Sequence, residues 1–232
     1  MSESIYTRTV GMLGEEAVER LKAARVLIVG VGGVGGFATE ALARAGVGHI
    51  TVIDADNVAP SNLNRQIIAT HSTLGMLKVD AIKQRIVDIN PLAEVKTLPI
   101  FYDESTASEV DLCAYDYVLD CIDSVRSKLL LIKKSIEAGA PIISSMGAGN
   151  KLDPTRFKVS DISKTHTDPL AKVIRTELRR EGITHLKCVW SDEPAVNVGS
   201  RTPASVSFVP SAAGIVMAGE VVRSLIKHPS AR

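Results

Sequence analysis

Short apolar runs alternate with longer amphipathic segments along the first 145 residues of the chain. The runs have the length of strands, and they cover residues 25–29, 49–53, 94–98, 115–119 and 141–145. Between them, apolar residues recur every three or four positions, which predicts helices over residues 15–23, 34–45, 77–89 and 124–138. Strands that alternate with helices at this spacing predict a parallel sheet covered by helices on both faces.

The pattern loosens after Gly147. Strand-like alternation occurs at 157–162, 188–190 and 205–209, helical periodicity occurs at 169–180 and 211–227, and the polar segment 191–203 is predicted to be a loop. We therefore predict an α/β fold: a Rossmann-like, doubly wound, mostly parallel sheet with helices on both faces, plus a C-terminal strand and helix extension. The chain 1–232 is predicted to be a single domain, with a core at 1–150 and a substrate-facing extension at 151–232.

Composition narrows the class of protein. Hydrophobic residues make up 45% of the 232 residues and the formal net charge is +1, so global disorder is excluded and no overall nucleic-acid signature is present. Three cysteines without a CxxC pair argue against a disulfide framework and a four-thiolate zinc site. The N-terminus has no apolar signal region, and no apolar run reaches the roughly 18 residues of a membrane span. We expect a cytoplasmic protein, to which a further native C-terminal segment could add a membrane anchor.

A glycine-rich turn joins the first predicted strand to its helix. Gly30, Gly32, Gly33 and Gly35 lie in this turn, and Asp54 follows 24 residues after Gly30, at the end of the second strand. Such a turn delivers a phosphate to a helix N-terminus, and an acid roughly 20 residues further on accepts a ribose hydroxyl. This pattern predicts adenine-nucleotide binding. Taken alone, it would equally suit NAD.

The residues after Asp54 favour a triphosphate over NAD. They carry a cluster of phosphate-binding side-chain types, followed by a lysine near the start of the next helix: Asp56, Asn62, Arg65, Gln66 and Lys78. Arginine is a fixed fork of donors for phosphate oxygens, and lysine is a mobile positive charge. Each residue alone could be an ordinary surface residue, but together they predict a site that cleaves ATP.

Two carboxylates follow the fourth predicted strand. Asp120 and Asp123 lie where doubly wound sheets bind their ligands, and a carboxylate there can hold Mg²⁺ against ATP phosphates. The alternative is that Asp120 or Ser124 caps the following helix. We assign the metal to Asp123.

These motifs together resemble the ubiquitin-activating-enzyme-like superfamily, which includes the molybdopterin- and thiamine-pathway adenylyltransferases. The resemblance rests on GVGGVGG, Asp54, NLNRQ, GMLK and DCIDS. It implies that Mg·ATP activates a carboxylate, with Asp54 on the ribose and Asp123 on Mg²⁺. It implies phosphate contacts from Asn62, Arg65, Gln66 and Lys78. Arg8 matches an arginine that reaches into the partner subunit's site, which implies a homodimer.

Later motifs narrow the resemblance. GAGNKLDPT, VSDISKT and DPLA are similar to the tRNA threonylcarbamoyladenosine dehydratase branch. The resemblance implies ATP-dependent cyclisation of N6-threonylcarbamoyladenosine next to the anticodon, with Arg8, Arg65, Lys78 and Asp123 as the catalytic groups. The alternative is an adenylyltransferase for the C-terminus of a small ubiquitin-like sulfur carrier, and sulfur-transfer partner proteins stay possible. An NAD(P)-dependent oxidoreductase or a silent nucleotide sensor is a third interpretation.

Basic residues in the extension are candidates for tRNA contact. Lys172, Arg175 and Arg179 recur at spacings of three and four residues, and Lys151 extends this patch. The alternative is a solvated helix face balanced by neighbouring glutamates. A monovalent cation in the Gly147–Gly149 loop, the tRNAs used, and AMP or ADP as product are left open. Cys188 is expected to be a buried small residue rather than a thioester nucleophile.

Overall fold

The computed structural model describes residues 4–200 and 202–227. Their seven strands form one sheet in the order β3-β2-β1-β4-β5-β7-β6. The strands are β1 (Arg25–Val29), β2 (His49–Ile53), β3 (Glu94–Leu98), β4 (Tyr117–Asp120), β5 (Ile142–Ser145), β6 (Phe157–Asp161) and β7 (Lys187–Ser191). All neighbouring strands pair in parallel except β6, which runs antiparallel to β7 at the edge. The order reverses at β1, so the carboxyl ends of β1 and β4 bound the crevice where such sheets bind ligands.

Seven α-helices flank this sheet in the described part of the chain. They are α1 (Thr7–Leu13), α2 (Glu15–Ala23), α3 (Gly35–Ala45), α4 (Lys78–Ile89), α5 (Val125–Glu137), α6 (Pro169–Arg180) and α7 (Phe208–Lys227). The predicted α/β class, with its doubly wound and mostly parallel sheet, is confirmed. The predicted helix and strand boundaries in the core either match the observed ones or differ from them by at most two residues.

The secondary structure predicted from the sequence was wrong in two segments, one near each end of the described chain. The strand predicted at 205–209 is wrong, because α7 already begins at Phe208. The alternation in SVSFV resembles a strand, but Val209, Ala213, Met217 and Val221 are buried at helical spacing. Helix α1 was not predicted, because it buries no residue and therefore has no apolar period.

Helix α7 packs tightly on the core. A Cβ on Gly214 would lie 2.3 Å from the Val34 carbonyl oxygen, so only glycine allows α7 to approach the start of α3 this closely. Among the described helices, α7 alone is long and apolar enough to cross a membrane, with a mean hydropathy of 1.4, against the expectation that no segment would be. Its buried face belongs to the main hydrophobic core.

Candidate functional site

A cavity of about 300 Å³ opens at the carboxyl ends of β1, β2 and β4. Its walls bring together nine of the residues that the sequence singled out: Gly30, Gly32, Gly33, Asp54, Asp56, Arg65, Gln66, Lys78 and Asp123. These residues come from the glycine turn, the segment after β2, the start of α4 and the turn after β4. Their convergence in one cavity indicates a nucleotide site.

The glycine turn needs its glycines for close approach. Gly30 has φ +89°, and a Cβ there would lie 2.7 Å from the Cys121 carbonyl oxygen. Gly35 does not line the cavity; a Cβ on it would lie 1.8 Å from the Gly30 oxygen. Both glycines therefore let the turn close tightly at the first residues of α3, which leaves backbone N–H groups available to phosphates.

Asp54 is held in place by the backbone. Its Oδ2 accepts a hydrogen bond from the Val31 N–H at 2.8 Å, and its Oδ1 accepts one from the Asp56 N–H at 2.9 Å. Burial raises the pKa of the Asp54 carboxyl, and the nearby Lys78 ammonium offsets part of this rise. An oriented, partly buried carboxylate with spare lone pairs is suited to accept a hydroxyl donor.

Lys78 lies beneath the cavity with little solvent exposure. Its Nζ donates to Asp56 Oδ2 at 2.7 Å and lies 4.0 Å from Asp54 Oδ1. Gln66 is also buried, and its Oε1 has no hydrogen-bond partner in the described structure. A buried amide oxygen without a hydrogen-bond donor costs free energy. Such an unpaired oxygen is expected where a bound ligand supplies the missing donor.

Arg65 and Asn62 belong to the turn that follows β2. Arg65 Nη1 donates to the Ser61 carbonyl at 2.9 Å and to Asn64 Oδ1 at 3.0 Å, which fixes the guanidinium beside the glycine turn. Asn62 does not line the cavity; its Oδ1 accepts the Ala59 N–H at 3.0 Å. Asn62 therefore shapes the turn, and its predicted contact with phosphate stays a prediction.

Asp123 and Asp120 have different environments. Asp123 is exposed at the cavity, and its carboxylate makes no hydrogen bond or ion pair within residues 4–200 and 202–227. Asp120 is fully buried and pairs with Lys128 Nζ at 2.8 Å, so of the two candidate caps it is Ser124 that lies at the N-cap position of α5, where its side chain makes no capping hydrogen bond. Within the described ranges, no group of three or more potential metal ligands exists. One free carboxylate fits Mg²⁺, which binds through one or two carboxylates plus substrate phosphates.

Arg8 lies away from this cavity. Tyr6, two residues earlier in the chain, packs its ring against Gly46: a Cβ on Gly46 would lie 3.0 Å from the ring. The Tyr6 hydroxyl donates a hydrogen bond to Asn90 at 3.1 Å. Gly46 and Asn90 end α3 and α4 at the amino edge of the sheet, whereas the cavity lies at the carboxyl edge. The eleven residues of α3 span about 16 Å between the two edges. Arg8 is exposed, and its side chain makes no hydrogen bond to any described residue.

The four candidate tRNA contacts differ in exposure. Lys151 is 3% exposed, and its Nζ donates to the Ser191 and Glu193 carbonyls at 3.0 Å each, so the prediction of Lys151 as an RNA contact is wrong. Arg175 is half-buried and donates to the Thr165 carbonyl at 3.0 Å, which also commits it to the fold. Lys172 and Arg179 are exposed on α6, and their side chains are unpaired among the described residues.

The loop that could hold a monovalent cation lies over a buried carboxylate. The Gly147 N–H donates to Asp168 Oδ2 at 3.0 Å, and Lys151 Nζ lies 3.9 Å from the same oxygen. Burial raises the pKa of Asp168, and Lys151 offsets part of this rise. The ammonium of Lys151 already supplies a positive charge there, and the monovalent cation stays a prediction.

The structure adds residues that the sequence reading missed. Ile100, Phe101 and Tyr102 follow β3 and form the apolar side of the cavity, with Phe101 66% exposed. The Tyr102 hydroxyl is buried without a partner in the described structure, and burial raises its pKa to about 12. No motif marks this loop in the sequence. Cys188 is fully buried, as expected, and burial raises its pKa to about 12, which disfavours a thiolate nucleophile.

The chain is similar to known proteins over almost its whole length. Residues 6–232 match the ThiF family. The chain is 46% identical to the tRNA threonylcarbamoyladenosine dehydratase of Bacillus subtilis, over 96% of this chain and 94% of the relative. An adenylyltransferase and sulfurtransferase of Eremothecium gossypii is 37% identical but covers 64% of this chain and 33% of that protein. The crystal structure of Escherichia coli tRNA N6-threonylcarbamoyladenosine dehydratase in complex with ATP superposes with a TM-score of 0.90 at 34% identity, covering 96% of this chain and 93% of that one.

Proposed function

Because the chain belongs to the ThiF family, we propose that its cavity binds ATP and uses it to cyclise N6-threonylcarbamoyladenosine in tRNA, with loss of one water. The observation that carries this proposal is the convergence of eight nucleotide-binding candidates and the metal-binding candidate Asp123 on one cavity. The dehydratase relatives support it, because they match almost the whole chain at high identity.

The chemistry requires little more than positioning. An oxygen of the threonyl carboxylate attacks a phosphorus of ATP, which forms an acyl phosphate or acyl adenylate and releases ADP or pyrophosphate. A nucleophilic atom of the same modification then attacks the activated carbonyl carbon, and the former carboxylate oxygen leaves on the phosphate. Both reacting groups belong to one substrate, so the enzyme must orient them and stabilise developing charge.

The residues of the cavity suit these roles. Asp54 accepts a ribose hydroxyl, and Arg65 and Lys78 bind phosphate oxygens and spread the negative charge that develops on them. When ATP enters, the Lys78 ammonium leaves the Asp56 carboxylate and binds a phosphate oxygen instead. The exposed Asp123 would hold Mg²⁺, which neutralises phosphate charge when bound.

The proposal includes a homodimer with a composite site. It is supported by the position of Arg8 at the edge of the sheet opposite its own cavity, with its guanidinium free among the described residues. An arginine so placed can serve a phosphate only in the cavity of a second subunit. The exposed Ile5 and Met12, on either side of Arg8, offer apolar surface for such a contact.

We propose that tRNA contacts the exposed Lys172 and Arg179, and not the buried Lys151. These two residues lie two turns apart on one helix and can meet successive backbone phosphates. The enzyme acts in the cytoplasm with its tRNA substrate. Sulfur-transfer partners stay a prediction that co-purification would test.

The deciding experiment supplies the purified protein with ATP, Mg²⁺ and tRNA that carries threonylcarbamoyladenosine, and measures the nucleosides by mass spectrometry. Loss of one water that depends on ATP supports the proposal. If the tRNA is unchanged while a small carrier protein drives ATP–pyrophosphate exchange, the sulfur-carrier alternative is correct.

A further inference from the structure

A fully buried charged cluster lies directly beneath the turn that carries Asp123. Lys128 of α5, Asp120 of β4 and Ser144 of β5 each have no solvent exposure. Lys128 Nζ donates to Asp120 Oδ2 at 2.8 Å, to the Ser145 carbonyl at 3.0 Å and to Ser144 Oγ at 3.4 Å. All three ammonium protons therefore have an acceptor.

The cluster is not explained by stability. A buried ion pair often contributes nothing compared with apolar residues of similar volume, because both ions lose their hydration. Lys128 also lies in the first turn of α5, where the positive end of the helix dipole disfavours a cation. Two unfavourable placements of one lysine point to a role beyond packing.

The hydrogen bonds of the cluster define this role. Asp120 Oδ1 accepts the Ile122 N–H at 3.1 Å, one residue before Asp123. Its Oδ2 accepts from Lys128 and from Ser144, its register partner in the neighbouring strand. The cluster thus joins three segments: the turn after β4, the first turn of α5, and the end of β5.

We propose that Lys128 and Asp120 are positioning residues, which hold the turn at 121–124 so that the Asp123 carboxylate faces the cavity. Neither residue lines the cavity. The role in metal binding rests on the proposed function, whereas the anchoring of the turn does not.

The test replaces the charged pair without leaving a buried charge. In Lys128→Met/Asp120→Leu the cluster is gone, whereas in Lys128→Met/Asp120→Asn the amide oxygen can still accept the Ile122 N–H. The matched control, Arg85→Met/Glu40→Leu, removes a second ion pair, between the mostly buried Glu40 of α3 and the partly exposed Arg85 of α4, and neither residue lines the cavity.

Two quantities are measured: amide exchange at Ile122 by NMR in the nucleotide-free protein, and ATP affinity with and without Mg²⁺. We expect the leucine variant to exchange about tenfold faster and to lose about tenfold of the affinity that Mg²⁺ adds, as for one hydrogen bond to a charged group. AMP affinity should stay at the wild-type value. The asparagine variant should recover most of both losses, and the control should show neither.

Wild-type exchange and wild-type Mg²⁺ dependence in the leucine variant would overturn the proposal, as would equal losses in the control. If Mg²⁺ does not change ATP affinity in the wild type, the metal assignment fails and the exchange rates alone decide. If the leucine variant does not fold, Lys128→Met/Asp120→Ala replaces it. Faster exchange at Ile122 in that variant than in the asparagine variant supports the proposal, and an equal rate overturns it.

Discussion

Lys78 Nζ donates a 2.7 Å hydrogen bond to Asp56 at the floor of the cavity, where Gly30 and Asp54 also lie. The ammonium is nearly buried, whereas the Asp56 carboxylate is half exposed. Under the proposed function, Asp56 would therefore stay solvated when Lys78 turns towards a phosphate of ATP. Until then, the pair holds a positive charge at the floor of the cavity.

Replacing Lys78 by methionine should lower ATP turnover about 100-fold or more, because a phosphate in this poorly solvated place would lack its counter-charge. The stem of the side chain is retained, so thermal unfolding should change little. Steady-state ATP consumption measures the loss. Lys83→Met, on the exposed face of the same helix, is the control, and equal losses in both variants would contradict the assignment.

Arg8 should act between subunits. Arg8→Ala and Asp123→Ala should each abolish most activity without unfolding the protein. Mixed dimers of the two should regain up to about a quarter of it, since one subunit then contributes Asp123 and the other Arg8 to the same site. Activity after mixing and exchange of subunits measures the rescue. Absence of rescue would mean that Arg8 acts within its own chain or has no catalytic role.

Tyr102→Phe should stabilise the nucleotide-free protein, and it tests whether the Tyr102 hydroxyl binds nucleotide. The hydroxyl is buried without a partner among the described residues, so its removal should raise the free energy of unfolding of the nucleotide-free protein by about 1 kcal/mol. If the hydroxyl binds nucleotide, ATP affinity should fall in the same variant. Urea unfolding and ATP titration are the two measurements. Tyr115→Phe, outside the cavity, serves as the control.

Glu40 should make stability depend on pH. Burial tends to raise the pKa of Glu40, but hydrogen bonds from Arg85 and Arg44 outweigh it and hold the pKa below the ordinary 4.5. A lowered folded-state pKa contributes stability above the unfolded pKa, and this contribution is lost as pH falls through the folded value. Glu40→Gln should therefore cost about 1–3 kcal/mol at pH 7 and progressively less below pH 4.5. Urea unfolding checks this, with the exposed Glu16→Gln as control; a difference independent of pH would contradict it.

The exposed face of α6 should contribute to tRNA binding only through the positive charges of Lys172 and Arg179. Lys172→Ala/Arg179→Ala should weaken tRNA binding and reduce the slope of log affinity against log salt by about 0.7–0.9 for each lost phosphate contact. Filter binding at several salt concentrations measures both. Lys83→Ala/Lys96→Ala removes two exposed charges elsewhere and should leave the slope unchanged. An unchanged slope in the α6 variant would exclude this face.

Local patterns explain which parts of the site could be predicted. Gly30, Asp54 and Lys78 each follow or begin a regular element, so the parallel sheet brings them to one edge. Phe101 and Tyr102 come from a loop whose path depends on tertiary packing, and no local signal marks them. The buried pairing of Asp120 could not be predicted for the same reason: its partner Lys128 is reached through the interior, and a helix-start pattern carries no information about that contact.

Patterns of charged residues predicted the candidate site less reliably than patterns of glycines did. Lys151 was predicted at the surface because lysine is rarely buried. In the structure its ammonium is satisfied by the carbonyls of Ser191 and Glu193, which come from a strand end about 40 residues later. The glycine turn, by contrast, is visible in the sequence because its glycines lie within six residues of one another, even though the contact that excludes a side chain at Gly30 comes from the distant Cys121.

The approach of α7 to the glycine turn has a consequence for the order of synthesis. A Cβ on Gly33 would lie 3.1 Å from Cβ of Pro210, in the first turn of α7. Helix α7, the last of the described helices in chain order, thus supports the glycine turn, and it leaves the ribosome after all the other described elements. A chain synthesised only up to β7 would lack this support, so we expect the glycine turn to take its final shape only after α7 has been made.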